Sequence, residues 1–455
     1  MNYKKVEALI RATIKENGER SITGDGLQNV LLTMLDYTTS LYTEEDVMYG
    51  VEWDVTVADP AMTRIGNMAL HRQLPIQNRM KGCLLDDNGK VVEYLPPTSW
   101  LGATRDGSRG QVEVELPDHY RKFETDGNIR RAKISEYPLP GYHYVPKMYI
   151  SAYEATVQRS TNMLCSVVNS DPDYRGGYGR ADWDGTYRSL LGRPVSSEHG
   201  KTFQLWARNR NASATSEWNI LDYTCWKAVQ WLYLIEYANR NSQLPFIAER
   251  DANGYKQGGL GMGATTAPST ISDWNSQYPF IPCGHTDSLG NGSGEISYTA
   301  LNEDGSVFME IMANRYRGIE NPFGHLGKIC CGCLCVSKSS ETDIYTTTDT
   351  SLYNFDATDG YLKIYSIPTS GGYFNDIAFG EQGDIIPTGR GASSTTFWCD
   401  NIWMSSRDPE VIRPLAISGS SKNATAAGMF AFDSVYGASN ASNGTRLCFI
   451  PKNNE

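Results

Sequence analysis

Cysteine and histidine carry much of the reactive chemistry in proteins, and neither is spaced here for catalysis or for metal binding. Four of the ten cysteines, Cys330, Cys331, Cys333 and Cys335, fall in one run, KICCGCLCV. Zinc sites need paired CxxC elements set apart along the chain, and this run lacks them. Alternation would place Cys331, Cys333 and Cys335 on one face of a strand. We therefore interpret the run as a buried apolar strand, because free cysteine is among the most buried residue types.

The other motifs with catalytic potential are incomplete. The six histidines show neither HExxH nor HxH spacing, and no GxSxG nucleophile turn occurs. The stretch GYKQGGLGMGATT lacks a following GK[ST] and a following helical pattern, so we interpret it as a loop in which backbone packs closely. A carboxylate pair for glycan hydrolysis stays open, because the 52 acidic residues offer many pairs that need not be close in sequence.

Composition favours binding over catalysis. The 455-residue chain has a formal net charge of −11, with 27 Tyr and 43 Gly. Tyrosine gives a large contact area at low entropic cost, which suits loop-rich recognition surfaces, although an irregular β-rich core with many tight turns explains the same composition. The negative charge argues against nucleic acid as the main partner. With no run of 18 apolar residues and no secretory signal, we expect no membrane insertion and a reducing cytoplasm.

The elements that would position a binding surface begin with two short helices. Apolar residues recur at helical spacing over residues 6–14 and again over residues 27–35. Helices this short are marginal in water by themselves, so they must pack on each other, on the next domain or on copies of themselves. We expect residues 1–48 to be a helical attachment or oligomerisation module, or alternatively a helical cap on the main domain.

Strand patterns follow, and then one strong helix. CLLDDNGKVVEYL predicts a hairpin with its turn at Asp87-Asn88-Gly89, and GQVEVELP predicts a strand. LDYTCWKAVQWLYLIEY predicts a buried helix with Asp222 as its N-cap. Glu236 in this helix needs a partner, and a structural salt bridge or backbone hydrogen bond is favoured over general-acid work because no second carboxylate lies at helical spacing to it.

The predicted fold class is α+β, an N-terminal helical pair followed by a loop-rich body with antiparallel strands. We divide the chain into the helical module at 1–48, a β-rich subdomain at 49–150 and a third domain at 151–455. The third domain closes on RPLAISGSSKNATAAGMFAFDSVYGASNASNGTRLCF, residues 413–449. Its apolar runs and its final RLCF are predicted core, and the small polar residues between them look interchangeable. The pattern predicts a rigid frame that presents a changeable surface.

Two motifs resemble the C-type-lectin fold in its formylglycine-generating-enzyme-like form. In that family a Gly-Asn/His-hydrophobic-Trp strand precedes a C-terminal segment that ends in an aromatic/Gly-Arg-Cys strand. Here RYRGIENPFGHLGKICCG holds Gly324-His325-Leu326, with Gly327 in place of the usual Trp, and RLC at 446–448 occupies the second place. The enzyme's copper-binding cysteine pair has no counterpart. The resemblance implies a C-type-lectin-like domain without oxidase activity, and we expect no catalytic residue, cofactor or metal.

Further stretches resemble tail proteins of phages that infect Bacteroides-type gut bacteria, including crAss-like phages. They are DPAMTRIGNMALHRQLPIQ, PLPGYHYVPKMYISAYEA, DYRGGYGRADWDGTYRSLLGRP, IEYANRNSQ and YRGIENPFGH, while NGERSITGDGLQNVLL resembles the virion-attachment end of such fibres. Members of this group include targets of diversity-generating retroelements, which rewrite adenine-derived codons in the C-terminal lectin segment. The likeness implies a bacteriophage tail-fibre or receptor-binding protein of the virion tail, assembled in the host cytoplasm.

By this resemblance the ligand-binding surface draws on the closing segment and on a neighbouring rim that contains two tryptophans. The implied residues are Trp398, Asp400, Asn401, Trp403, Ser418, Ser420, Ser421, Lys422, Asn423, Thr425, Phe430, Phe432, Ser434, Tyr436, Asn440, Ser442 and Asn443. Amides, carboxylates and hydroxyls bind sugar hydroxyls, and aromatic faces stack on the C–H side of a sugar ring. Each polar position alone is also explained as a solvated loop residue, and Phe430 and Phe432 as inward-facing core.

The resemblance thus implies host attachment through a bacterial surface glycan or protein, without covalent chemistry. Other phage tail proteins would be bound through residues 1–48. A homo-oligomer, first of all a homotrimer, is expected because weak sugar sites become useful through avidity. Two rival functions remain, a purely structural virion or tail adaptor protein and a capsule depolymerase. Deletion of residues 413–449 is the test that the sequence suggests for separating receptor binding from a structural role.

Overall fold

The computed structural model describes residues 24–40, 42–211, 217–267, 271–404, 410–434 and 440–452, together with residues 7, 10 and 11. Over these residues the fold is mixed α+β, with few helices and mostly antiparallel sheets. The predicted class is confirmed at that level. The first predicted helix, at 6–14, falls almost entirely outside the described residues, so the helical pair stays a prediction.

Six α-helices lie in the described part of the chain. In chain order they are α1 Gly24–Ser40, α2 Glu44–Val47, α3 Met68–Gln73, α4 Gly200–Arg208, α5 Tyr223–Tyr237 and α6 Ile271–Asn275. In α1, which covers the second predicted stripe, Leu27 is 43% exposed and Val30 55% exposed. Part of the apolar stripe of α1 therefore faces solvent in the single chain.

The described residues form 24 strands. In the N-terminal part they are β1 Met48–Asp54, β2 Thr63–Gly66, β3 Lys81–Leu85, β4 Val91–Tyr94, β5 Gln111–Leu116, β6 His119–Asp126, β7 Ile129–Ser135, β8 His143–Val145, β9 Met148–Ser151, β10 Thr156–Gln158, β11 Met163–Cys165 and β12 Trp218–Ile220. The others are β13 Gly294–Leu301, β14 Val307–Tyr316, β15 Ile319–Glu320, β16 Gly327–Ser337, β17 Glu341–Thr346, β18 Leu362–Pro368, β19 Gly372–Tyr373, β20 Asn401–Trp403, β21 Ile412–Ile417, β22 Phe432–Ser434, β23 Asn443–Gly444 and β24 Leu447–Phe449.

Most of these strands belong to four sheets. One has five strands in the order β2-β1-β7-β6-β8, and a second has six in the order β12-β24-β9-β5-β3-β4. A three-stranded sheet has the order β13-β14-β15, and an eight-stranded sheet has the order β18-β17-β16-β21-β22-β20-β19, with β23 added in parallel to β16. The short pair β10-β11 stands apart. The β3–β4 hairpin turns where Gly89 donates its N–H to the Asp86 carbonyl, which confirms the predicted DDNG turn.

The last described strand lies inside a sheet made mostly from the first third of the chain. β24 pairs with β9, with Cys448 opposite Ile150, and with β12, with Phe449 opposite Trp218. All three residues of β24 are buried, so the prediction that RLCF contributes to the core is confirmed. The predicted domain boundary at residue 150 falls inside β9, within this shared sheet.

The cysteine run forms β16, as predicted, but its faces differ from the predicted alternation. A register shift separates Cys330 from Leu334 in the pairing with β21, and Gly332 within it has φ +77°. The irregularity leaves residues 331–333 without partners in β21, and this odd number of extra residues switches the side of the strand. Cys333 packs in the main core while Cys331 packs with Leu334 in a second core, so the prediction that Cys331, Cys333 and Cys335 share one face is wrong.

Helix α5 is the centre of the main core. Its N-cap Asp222 accepts a hydrogen bond from the Cys225 N–H at 2.9 Å, and 14 of its 15 residues are buried. The left-handed residue Ala238, at φ 50°, ends it. The predicted N-cap and the all-round burial are confirmed. The predicted salt bridge of Glu236 is also confirmed, because its carboxylate pairs with Arg317 at 2.6 Å.

The glycine-rich stretch packs closely against its neighbours, as predicted. At Gly261, which has φ +77°, an added Cβ would lie 1.9 Å from a carboxylate oxygen of Glu295. Backbone can approach that carboxylate only without a side chain, so the glycine is required by packing.

Candidate binding surface

The structure places most of the residues implied by the resemblance below the surface. Buried are Trp398, Asp400, Ser418, Ser420, Ser421, Phe430, Phe432, Ser434, Ser442 and Asn443; partly exposed are Asn401, Trp403 and Asn423; exposed are Lys422, Thr425 and Asn440. Tyr436 lies outside the described residues. Within the described part of this set, a ligand arriving from solvent meets chiefly the three exposed side chains.

The aromatic members of the set lie in the core. Phe430 and Phe432 are 0% and 1% exposed. The Phe430 ring lies 5.3 Å from the Trp398 ring and 6.1 Å from that of Tyr233 in α5. Both phenylalanines therefore face inward, as the alternative interpretation predicted. Phe430 packs the closing segment against helix α5.

Asp400 also acts within the protein. Its carboxylate accepts the Gly428 N–H at 2.7 Å and the Phe430 N–H at 2.8 Å. Burial raises the pKa of Asp400 to about 8, although these two hydrogen bonds oppose the shift. A side chain that satisfies two buried N–H groups shapes the turn before β22.

Two asparagines close loops with neighbouring serines. The Asn423 carbonyl oxygen accepts both the N–H and the hydroxyl of Ser420, at 2.7 and 2.8 Å. The Asn440 side chain does the same for Ser442, at 3.0 and 2.9 Å. These are local turns of the kind that Asn commonly makes with its own chain. The serines are thus engaged in loop geometry, and the loops present Lys422 and Asn440 outward.

Lys422 reaches a second segment of the chain. Its ammonium group donates to the Gln277 side-chain oxygen at 2.9 Å. The next residue, Tyr278, stacks on Tyr178 with ring centroids 4.3 Å apart and planes 17° apart. Both tyrosines are partly exposed. Lys422 therefore flanks a stacked tyrosine pair that comes from two distant parts of the sequence.

Arginines and a tryptophan extend this pair. The Trp183 ring meets Tyr178 and Tyr278 edge-on at 5.8 and 5.5 Å. The Arg180 guanidinium lies 5.5 Å from the Tyr178 ring centroid, and that of Arg188 lies 4.7 Å from the Trp183 centroid. We refer to these five residues as the tyrosine–arginine patch. Guanidinium groups over rings hold the aromatic side chains in fixed orientations. Arg180 is also ion-paired with Asp182, which offsets its charge.

Backbone hydrogen bonds connect Asn440 to a segment that carries the patch. The Ser197 N–H donates to the Asn440 backbone carbonyl at 3.1 Å, and the Ser196 N–H donates to the Gly177 carbonyl at 3.1 Å. Gly177 directly precedes Tyr178. Two exposed residues of the implied ligand set, Lys422 and Asn440, are thus tied by short hydrogen-bond paths to the segments that carry the patch.

One buried histidine holds both segments in place. The His325 Nε2 atom accepts the N–H groups of Phe280 and Ile281 at 3.1 and 3.2 Å, which fixes the segment that carries Tyr278. The His325 carbonyl accepts the Ser421 N–H at 3.1 Å, which fixes the loop that carries Lys422. Since Nε2 accepts, Nδ1 carries the proton and donates to the Glu154 carboxylate.

Glu154 in turn pairs with a buried lysine. The Lys328 ammonium lies 3.0 Å from Glu154 Oε1 and donates to the Gly324 carbonyl at 2.8 Å. Burial opposes ionisation of Glu154, but the charge of Lys328 and the contact with His325 outweigh it and lower the pKa of Glu154 to about 2. Burial lowers the pKa of Lys328 to about 8. We call Glu154, His325 and Lys328 the anchor cluster, since it positions backbone beneath the patch.

The patch itself was not identified among the candidate site residues. Its signal in the sequence is the density of tyrosine, tryptophan and arginine in DYRGGYGRADWDGTYRS. Tyr278, which lies in a separate stretch, could not be assigned to it without the fold.

The structure is a mixed α+β fold with a partly exposed patch of aromatic and arginine side chains. No family model matches the chain, and a search of the curated proteins finds no match. Among the described residues, no group of three or more His, Cys, Asp or Glu is placed to hold a metal ion. In the same part of the chain, no helix is long and apolar enough to cross a membrane.

Proposed function

We propose that this protein is a phage tail-fibre or receptor-binding protein that attaches to a glycan or protein on a bacterial surface. The observation that carries the proposal is that hydrogen bonds tie two exposed residues of the closing segment, Lys422 and Asn440, to the chain segments that carry the tyrosine–arginine patch. The resemblance in sequence to tail proteins and to the C-type-lectin fold of 151–455 supports the same assignment.

The chemistry of the surface suits carbohydrate. Aromatic faces take up the C–H side of a sugar ring, and amide, ammonium and guanidinium groups donate to its hydroxyl and carboxylate oxygens. Binding by one such open surface is weak, so we propose that several copies, a homotrimer first, act together. The exposed Leu27 and Val30 of α1 support an association surface in residues 1–48, for copies of the chain or for other tail proteins.

The adhesion test uses substitution rather than deletion. Removing residues 413–449 would take away β22, β23, β24 and all but the first residue of β21, and β24 lies inside the six-stranded sheet. A deleted protein would fail to fold and would say nothing about receptor binding. The double variant Tyr178→Ala/Tyr278→Ala removes the stacked pair, and Tyr365→Ala, at a tyrosine that is 44% exposed on β18, is the matched control.

Labelled protein is measured for binding to a panel of Bacteroides-type strains and to their extracted capsules. We expect binding of the unmodified protein to at least one strain, about a tenfold loss in the double variant, equivalent to ~1.4 kcal/mol, and no change in the control. Thermal unfolding checks that all three proteins are folded. Undiminished binding by the double variant contradicts the assignment of the patch. Normal virion adsorption with the double variant favours the structural role, and release of capsule fragments favours the depolymerase.

The association surface has its own test. Leu27→Glu and Val30→Glu place charges on the exposed stripe of α1, and we expect them to lower the mass of the particle in sedimentation experiments. Glutamate at Leu362, which is 75% exposed on β18, is the control. A monomeric unmodified protein, or variants with unchanged mass, contradicts an oligomer built through α1.

A further inference from the structure

A second site lies away from the patch, in a pocket of about 360 Å³ at the end of α5. Glu236 and Arg317 form part of its wall, Arg250 and Lys256 line it from the loop after α5, and Asn291 and Met80 line it from other segments. Its volume is within the range of ~300–1,000 Å³ that is usual for small-molecule sites.

The carboxylate in this pocket is fully engaged by the protein. Glu236 receives Arg317 Nε at 2.6 Å and Arg317 Nη2 at 2.8 Å, and the Tyr316 hydroxyl donates to it at 3.1 Å. Arg317 Nη1 donates to the carbonyl of Gln77 at 2.8 Å. The side chain of Glu236 is 2% exposed and that of Arg317 is 11% exposed. The pair is therefore neutral as a unit and rigidly held.

Two more cations line the pocket without a carboxylate to balance them. Among the described residues no carboxylate lies within 4.0 Å of the Lys256 ammonium or of the Arg250 guanidinium. Arg250 donates one hydrogen bond, to the Gly254 carbonyl at 2.8 Å. Burial lowers the pKa of Lys256; Glu236 opposes that shift, and Arg250 and Arg317 add to it. The pocket thus carries a local positive excess on a chain whose formal net charge is −11.

We propose that this pocket binds the carboxylate of an acidic sugar. Lys256 and Arg250 would bind the carboxylate, because two unbalanced cations beside a neutral ion pair attract an anion. Met80 and Pro97 are apolar residues of the lining. The Asn291 side-chain oxygen accepts the Gly82 N–H at 2.9 Å, so its amide nitrogen is the group that can donate to ring hydroxyls. The volume of the pocket, its apolar lining and the Asn291 amide together suit a ligand larger than an inorganic ion.

The inference rests on the proposed function for the source of the ligand, an acidic glycan on the bacterial surface. The existence of an anion site is inferred from the pocket and its charged side chains alone. The site is separate from the tyrosine–arginine patch, so each can fail without the other.

The test is calorimetric titration of the full-length protein with sodium glucuronate, with glucose as a neutral probe of similar size and inorganic phosphate as an anion without a sugar body. We expect binding of glucuronate, none of glucose, and weaker binding of phosphate. The substitutions Lys256→Gln and Arg250→Gln should each weaken glucuronate binding about tenfold, because each removes a charge-assisted contact. Lys90→Gln, at an exposed lysine of the β3–β4 turn, removes the same charge elsewhere and should leave binding unchanged.

Raising the salt concentration should also weaken binding, since the partly exposed cations are screened. Absence of glucuronate binding, or equal binding by Lys256→Gln, overturns the site. Phosphate that binds as tightly as glucuronate overturns the sugar assignment. Loss of cell adhesion in the tyrosine variant together with absence of glucuronate binding leaves the proposed function standing and removes only this inference.

Discussion

Glu154 and Glu236 are two of the buried carboxylates that face cations, and they differ in whether open space lies beside them. Glu154 is enclosed with His325 and Lys328, all at most 1% exposed in their side chains. Glu236 is paired with Arg317 at the wall of a pocket, where Lys256 and Arg250 are left without a carboxylate partner. In the enclosed cluster, His325 and Lys328 are hydrogen-bonded to backbone groups, so the cluster positions the backbone. Within the described part of the chain, the site around Glu236 retains two cations without a carboxylate partner, so it can bind an anion.

The same difference separates the anchor cluster from the patch above it. The His325 ring accepts a hydrogen bond from the segment of Tyr278, and its carbonyl accepts one from the loop of Lys422. Those segments present side chains to solvent. Stability and recognition are thus divided between layers. Changes in the buried layer should be costly to folding, and changes in the exposed layer should affect binding alone.

The largest effect is expected from Glu154→Gln. It leaves the Lys328 ammonium buried without its counter-charge, which typically costs about 3–5 kcal/mol. Chemical unfolding should show this loss as a lower denaturation midpoint. Lys90→Gln, at an exposed lysine of the β3–β4 turn, serves as control and should change stability by less than about 0.5 kcal/mol. A loss for Glu154→Gln as small as that of the control would contradict a stabilising anchor cluster.

Acid should have a similar effect through the same carboxylate. The folded pKa of Glu154, about 2, lies below its ordinary value of 4.5. Its contribution is therefore fully present above pH 4.5 and is lost as the pH falls towards 2, by roughly 3 kcal/mol at 1.36 kcal/mol per pH unit. The measurement is the free energy of unfolding of the wild type and of Glu154→Gln between pH 5 and pH 2. The difference between the two proteins should shrink across this window, and a constant difference would exclude the mechanism.

Arg317→Met tests the open member of the comparison. It removes the partner of Glu236, but water from the adjoining pocket can solvate the carboxylate that is left. We expect a loss of about 1–3 kcal/mol, smaller than that of Glu154→Gln, because the exposed side of the site limits the desolvation cost. If chemical unfolding gives the larger loss for Arg317→Met, the contrast between an enclosed and an open cluster is wrong.

The smallest effect on stability is expected from Lys422→Ala. Its ammonium makes a hydrogen bond to Gln277 at the surface, so the free energy of unfolding should change by at most about 0.5 kcal/mol. Adhesion to a strain that the wild type binds should nevertheless fall several-fold, with Lys90→Ala unchanged. A large destabilisation with normal adhesion would place Lys422 in the buried layer instead.

Local features were predictable because their causes are local. The Asp222 N-cap and the buried helix follow from residue types within a few turns of each other, and so does the hairpin at Asp87-Asn88-Gly89. The salt bridge of Glu236 was predicted from the cost of a buried charge, but its partner, Arg317, lies 81 residues away. The bulge at Gly332 was missed because alternation assumes regular pairing, and a partner strand decided otherwise.

The sequence by itself determined the helix and strand periods, the buried character of the cysteine run and of RLCF, and the negative balance of charge. Only the tertiary structure decided which polar residues reach solvent. Asp400 is buried against the N–H groups of Gly428 and Phe430, 28 and 30 residues away, while Tyr178 and Tyr278 meet at a surface that neither stretch contains alone. The physical reason is that exposure depends on contacts across long sequence separations, such as the 171 residues between Glu154 and His325, and composition and periodicity carry no record of those contacts.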